Sequence, residues 1–156
     1  MTLDLNLRVS VSEKGEIQAI SLLEGKKGNG LTASFLRFES LALLDWLKQY
    51  GLQQEPSISL ALSLASLPPF TQKVLRYLQK IPFGQTLSYS SIAQALGNPK
   101  AARAVGNACR QNPLPLIIPC HRVIEVSGKL GGFAYGLPLK QKLLEYEQGL
   151  LIKKIL

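Results

Sequence analysis

Apolar residues stand at every second position through Leu3, Leu5, Leu7, Val9 and Val11, with Asp4, Asn6, Arg8 and Ser10 between them. A period of two sends alternate side chains to opposite faces, so the chain must open with a sheet that is packed on one side and wet on the other. Residues 16–22 and 31–38 read as two further strands. Their turns are 12–15 and the glycine-rich stretch 25–30. Ser40 suits the cap of a helix running through Tyr50, with Leu41, Leu44 and Leu47 inward and Gly51 ending it. Three antiparallel strands and a helix predict a small α+β unit over residues 1–65. The connection over 53–69 carries a candidate short strand at 57–64.

From Pro68 the period changes to that of a helix. Val74, Leu75 and Leu78 recur at helical spacing within 71–80, and Pro82-Phe83-Gly84 stops the run. Ser88 caps a short helix to Leu96, and Gly97-Asn98-Pro99 forms a tight turn. Asn98 is a good cap and Pro99 suits a first helical position, which predicts a second helix to Arg110. Two short helices joined in this way form a helix-turn-helix. The apolar segments 116–118 and 123–126, with a turn at Ser127-Gly128, read as a small wing beside it. Pro138 opens a last helix over 139–148, closed by Gly149. No internal repeat interrupts this order.

The 156 residues are 46% hydrophobic and 18% charged, which excludes a disordered chain. No apolar run is long enough for a bilayer, and Met1-Thr2-Leu3-Asp4 lacks a signal-peptide pattern. Cys109 and Cys120 cannot make a disulfide framework, so a reducing, cytoplasmic compartment is expected; a monomer in solution is expected as well. The net charge of +8 is unevenly placed. Residues 1–65 hold six Lys/Arg against seven Asp/Glu, whereas 66–156 hold twelve against three. No acid lies between Glu55 and Glu125, while Lys73, Arg76, Lys80, Lys100, Arg103, Arg110 and Arg122 do. Such a tract either forms a solvated basic surface or attracts a polyanion, most often nucleic acid.

The helix around 100–110 is built from Ala101, Ala102, Ala104, Gly106 and Ala108, with Arg103, Asn107 and Arg110 on one face. Gly106 costs roughly 1 kcal/mol against Ala within a helix. Small residues let a backbone approach a partner closely. That suits insertion into a DNA minor groove, and it equally suits tight helix–helix packing.

Pro119-Cys120-His121-Arg122-Val123 holds the chain's one histidine beside a cysteine. A thiol with a pKa of about 8.5 is mostly protonated at neutral pH, and a neighbouring base and cation raise the reactive fraction. In extended chain, neighbours point apart, so His121 would reach Cys120 through a bend or a water. A carboxylate should orient the far ring nitrogen, and the C-terminal half offers only Glu125, Glu145 and Glu147. A buried, inert cysteine is the bland alternative. Two Cys and one His fall short of a structural zinc site, and no distant histidine exists for a cysteine-protease pair.

These residues resemble the O6-alkylguanine-DNA alkyltransferase family. Ile118-Pro119-Cys120-His121-Arg122-Val123 is similar to its active-site signature, and residues 97–106 with Arg110-Gln111-Asn112-Pro113 to its recognition helix and asparagine turn. Phe83-Gly84 and Ser88-Tyr89 resemble the approach to its helix-turn-helix. The match runs from about Phe70 to Gln148. The resemblance implies an α+β chain of two domains. Residues 1–65 would form a small antiparallel sheet with a helix, for which a ribonuclease H-like arrangement is one option, and 66–156 a helical domain with a winged helix-turn-helix.

It further implies direct reversal of DNA damage by a methylated-DNA–protein-cysteine methyltransferase that acts once, with no cofactor and no metal. The partner would be duplex DNA carrying O6-alkylguanine, with O4 of thymine a further candidate, and no membrane. Cys120 would take the alkyl group, and His121, polarised by Glu147, would deprotonate it through a water. Tyr89 would protonate the leaving base, and Asn112 would brace the turn. Arg103 would fill the gap in the base stack, with Ala102, Gly106, Arg110 and Ser90 also on DNA. Pro115, Val123, Ala134 and Tyr135 would line the base pocket, where Tyr135 is expected to crowd bulky adducts. A module that flags lesions without repairing them is the alternative, and the intact Cys120 argues against it. A plain helix-turn-helix regulator leaves Cys120-His121 unexplained.

Overall fold

A computed structural model describes residues 3, 5–24, 31–35 and 41–149. Strand β1 (Leu5–Val11) buries Leu5, Leu7, Val9 and Val11 and leaves Arg8 in solvent, as its alternation requires. It pairs antiparallel with β2 (Ile17–Glu24) and parallel with β3 (Leu31–Phe35), giving the order β2-β1-β3. The expected all-antiparallel sheet is therefore corrected to a mixed one. The strand directions alternate along the chain, but β3 lies beside β1 rather than β2. The outer edge of β2 is already in use. Ile17 N–H donates to Ala61 O at 2.8 Å, Ser63 N–H to Ile17 O at 3.0 Å, and Ile20 N–H to Pro113 O at 2.8 Å. The candidate strand at 57–64 reduces to a single parallel bridge, Ile17 with Leu62.

Helix α1 (Leu41–Gly51) turns Leu43, Trp46, Leu47 and Tyr50 inward, while Leu41 is 76% exposed. The inward face is thus rotated from the expected Leu41/Leu44/Leu47 stripe, because the two large rings of Trp46 and Tyr50 claim the core. The proposed Ser40 cap lies outside the described residues, as do 36–38 of the third predicted strand.

Helix α2 (Pro69–Leu78) starts with proline near its first turn, where a missing N–H is harmless, and buries Val74, Leu75 and Leu78. A two-residue strand β4 (Leu87–Ser88) leads into α3 (Tyr89–Ala95), capped by Ser88, whose side chain accepts from Ser91 N–H. Helix α4 (Ala102–Arg110) begins later than expected, at an Ala101 cap with no side-chain bond. Ala101 N–H donates to Asn98 O at 2.9 Å, so Asn98-Pro99-Lys100 is a separate turn rather than the helix start. Val105 and Ala108 of α4 enter the core, and the helix packs on both α2 and α3.

The predicted strand at 116–118 is irregular chain, with Leu116 at φ 75°. Strand β5 (Val123–Ile124) pairs parallel with β4, and α5 (Leu137–Glu147) closes the described chain. One core cluster runs from Leu5 and Trp46 through Val74 and Ile92 to Cys120 and Leu143. Each fully buried leucine or isoleucine in it contributes about 1.5–3 kcal/mol over its exposed state. Among the described residues, no helix is long and apolar enough to cross a membrane.

Candidate active site

Residues 120–122 wind into one 3-10 turn instead of extended chain, so Cys120, His121 and Arg122 fan out in three directions. All three are buried. Cys120 reaches a cavity of about 580 Å³ whose walls also hold Tyr89 of α3, Gly106 and Cys109 of α4, and Gly131 to Ala134 of the following loop. Asn112 ties the approach together. Its Oδ1 accepts from Leu114 N–H at 3.0 Å, while its Nδ2 donates to Ile118 O at 2.8 Å and to Cys120 Sγ at 3.2 Å. Burial pushes the Cys120 thiol up, against the opposing pull of the Asn112 donor and the Lys140 charge. The resting sulfur is a thiol, and a base must take its proton.

His121 points away from the cavity wall into the core. Its Nε2 meets Glu147 Oε1 at 2.7 Å, and its Nδ1 is buried without a hydrogen-bond partner among the described residues. Burial lowers its pKa, outweighing the hydrogen bond and charge of Glu147. The imidazole is then neutral, with its proton on Nε2 toward the carboxylate and a lone pair on Nδ1. Burial pushes Glu147 up, yet the hydrogen bonds and charges of His121 and Arg122 prevail and hold it at about 2. Arg122 Nε donates to Glu147 Oε2 at 2.8 Å and Nη2 to Oε1 at 3.0 Å, a bidentate fork, while Nη1 donates to Ile81 O at 2.6 Å. Gly84 N–H adds a bond to Oε2 at 3.1 Å. Gly84 sits at φ 74°, and a Cβ there would lie 2.9 Å from Glu147 O, so only glycine fits.

Across the cavity, burial pushes the Tyr89 phenol up to about 12, with help from Cys109, Cys120 and Glu125. Tyr89 therefore keeps its proton at neutral pH and is a donor. Gly131, at φ 66°, lies under its ring, and a Cβ there would come within 2.9 Å of the ring edge and hydroxyl. Lys140 of α5 anchors the loop from beneath. Its ammonium donates to Val123 O at 2.6 Å, to Gly132 O at 3.2 Å, and to Leu130 O.

Residues 69–149, just over half of the chain, match the family model described as 6-O-methylguanine DNA methyltransferase, DNA binding domain. The fold of Mycobacterium tuberculosis OGT, solved in complex with DNA, overlays with a TM-score of 0.71 at 34% identity, covering 92% of this chain and 93% of that one. The chain belongs to the 6-O-methylguanine DNA methyltransferase family. A methylated-DNA–protein-cysteine methyltransferase of Homo sapiens is 44% identical over 108 residues, 65% of this chain and 52% of the relative. A probable one from Acanthamoeba polyphaga mimivirus is 52% identical over 80 residues, 51% and 53% of the two chains. The chain spans about half the length of the curated relatives it matches.

Of the expected residues, Cys120 is hydrogen-bonded to Asn112 and His121 to Glu147, two pairs joined through the 120–121 backbone, and Tyr89 faces Cys120's cavity. Ala102, Arg103, Gly106 and Arg110 lie on its rim from α4, with both arginines exposed, and Ala134 lies on its wall. Ser90 is exposed beside Ser88 and does not reach the cavity. Three residues expected in the pocket do not line this cavity. Pro115 and Val123 are buried and are not among the residues that line the cavity. Tyr135 turns away toward the sheet, its hydroxyl donating to Ile20 O at 3.3 Å and its ring leaning on Phe133. Arg122 leaves the basic surface, since its charge is committed to Glu147. The sequence reading missed Tyr50, whose hydroxyl donates to Glu147 Oε1 at 2.7 Å, and Lys140 and Gly84 as well. No local pattern marks them: Tyr50 and Gly84 act across long stretches of chain, and Lys140 bonds backbone carbonyls, which carry no sequence signal. Cys109, Glu125 and Phe133 complete the missed cavity wall.

Proposed function

We propose that this chain reverses O6-alkylation of guanine in duplex DNA by moving the alkyl group to Cys120, once per molecule. Residues 66–156 act as the DNA-binding and transfer domain, packed against the 1–65 unit. In this reading α3 and α4 are the helix-turn-helix, β4 and β5 lie beside them as the wing, and α4 enters the minor groove. Its exposed Arg103, Asn107 and Arg110 support that placement, because the opposite face of the helix is spent on the core. Arg103 at the rim would occupy the stack as the damaged base swings into the cavity, which is large enough to take a purine.

The chemistry is an in-line displacement. His121 Nδ1 takes the Cys120 proton through a bridging water, the Sγ–C bond forms, and the bond from carbon to guanine O6 breaks. The leaving guanine anion gains a proton at N3 from Tyr89. Positive charge arising on His121 is met by Glu147, whose carboxylate is already ionised. A positioned base of this kind contributes about a hundredfold to ten-thousandfold. The thioether has no facile reverse reaction, so the protein is consumed.

The carrying observation is the buried Cys120–Asn112 and His121–Glu147–Arg122 arrangement opening on a cavity beside an exposed cationic helix. Incubation with an O6-methylguanine duplex, followed by mass spectrometry, tests it. One methyl on the Cys120 peptide is expected. Retained DNA binding with unchanged mass would favour the lesion-flagging module, and more than one methyl per molecule would end the single-use mechanism.

A further inference from the structure

We propose that Tyr50 of α1 is a positioning residue for the transfer step, its hydroxyl sharing Glu147 Oε1 with His121 and setting how strongly that oxygen holds the imidazole proton. This rests on the reading of His121 as the base for Cys120. Oε1 receives three donors: Tyr50 Oη at 2.7 Å, His121 Nε2 at 2.7 Å and Arg122 Nη2 at 3.0 Å. Oε2 receives Arg122 Nε and Gly84 N–H. The phenol is a neutral donor that, unlike His121 and Arg122, comes from the N-terminal unit, 97 residues away in sequence.

Tyr50 is fully buried, and its ring is held on three sides. Trp46 stacks at 5.3 Å, Phe83 meets it edge-on at 5.4 Å, and Tyr146 tilts against it at 5.8 Å. Tyr146 in turn donates to the carbonyls of Tyr50 and Gly51, which fixes the last turn of α1. The hydroxyl is thus aimed at one carboxylate oxygen by packing it cannot easily leave. A buried phenol needs one acceptor, but this one takes the oxygen on which the histidine depends.

Hydrogen bonding to an ionised oxygen disperses its charge, so Tyr50 weakens the pull of Glu147 on the Nε2 proton. It helps keep the imidazole neutral and able to accept the Cys120 proton. The other titratable or charged groups nearby are Arg122 and Cys120 on the turn, Lys140 and Tyr146 on α5, and Glu55, 3.8 Å from Arg122 Nη1. None of them is hydrogen-bonded to the Tyr50 hydroxyl, whose partner is Glu147.

Tyr50→Phe keeps the ring and deletes the donor. The chain has one histidine, so ¹⁵N-histidine labelling of the full chain reads His121 directly. Its titration midpoint should rise by about half to one pH unit in the variant, and the acid limb of methyl transfer should rise with it. Trp46→Phe, which alters the packing without touching Oε1, should leave the midpoint where it was. An unchanged midpoint in Tyr50→Phe overturns the inference even if activity falls, as does an imidazole that stays neutral in both proteins across the folded range. A wild type that transfers no methyl removes the functional reading itself. Normal transfer with an unshifted variant removes only the role of Tyr50.

Discussion

Replacing Glu147 by Gln should damage stability as well as chemistry, and the network of Arg122 sets the size of the effect. The carboxylate falls from its ordinary 4.5 to about 2 in the folded chain, which corresponds to about 3 kcal/mol at neutral pH. Removing one partner of a buried ion pair costs about 3–5 kcal/mol, because the survivor stays buried and unpaired. Arg122 is only 3% exposed, and its other side-chain carboxylate, Glu55, is 3.8 Å away and half in water. The two routes agree.

For a domain whose total is about 5–15 kcal/mol, the variant folds but melts about 10 °C lower. A depressed carboxylate pKa gives stability that is complete above the unfolded value and disappears as pH falls through the folded one. The gap between wild type and Glu147→Gln should therefore be full at pH 7, begin to close below about pH 4.5, and be nearly gone near pH 2. Urea unfolding of both proteins at pH 7, 5 and 3 measures it. A gap under about 1 kcal/mol at pH 7, or one independent of pH, would refute the reasoning. At pH 7 the same substitution should slow methyl transfer about a hundredfold or more, since the imidazolium loses its counter-charge.

Gly131→Ala should slow transfer by pushing the Tyr89 ring aside, and single-turnover rates would show it; an unaltered rate means the loop has room the 2.9 Å approach denies. Arg103→Ala should slow repair in duplex DNA far more than reaction with free O6-benzylguanine, and equal losses would remove its role in extrusion. Tyr135→Gly should leave the benzyl rate within about threefold, because that side chain faces Ile20; a large acceleration would mean the ring swings into the cavity.

The local signals were readable wherever they depended on neighbours in sequence. The alternation of β1, the Ser88 cap and the apolar spacing of Val74, Leu75 and Leu78 are one-dimensional features, and the structure uses them as expected. Asn98-Pro99 was ambiguous, because the same pair suits a helix start or a turn just before one. The order of the sheet and the inward face of α1 depended on what else competes for an edge or a core volume. The same division runs through the site. Cys120 and His121 are adjacent, and the family's motif names Glu147, but Tyr50, Gly84 and Lys140 meet the site only after the chain has folded back on itself. Arg122 misled for a related reason: charge in a sequence does not say whether a partner is waiting inside.

Lys140 makes the loop over the cavity a piece of prepaid order. A single ammonium gathers three carbonyls between Val123 and Gly132, adding to the turn that Glu125 and Lys129 close within that stretch. Closing a free segment costs entropy that grows with the logarithm of its length, and a loop that closed on its ligand would subtract that cost from affinity. Here the cost falls on folding. In the proposed reaction an incoming base would meet a wall already standing, and its binding energy would go to the deformation of DNA that brought it there.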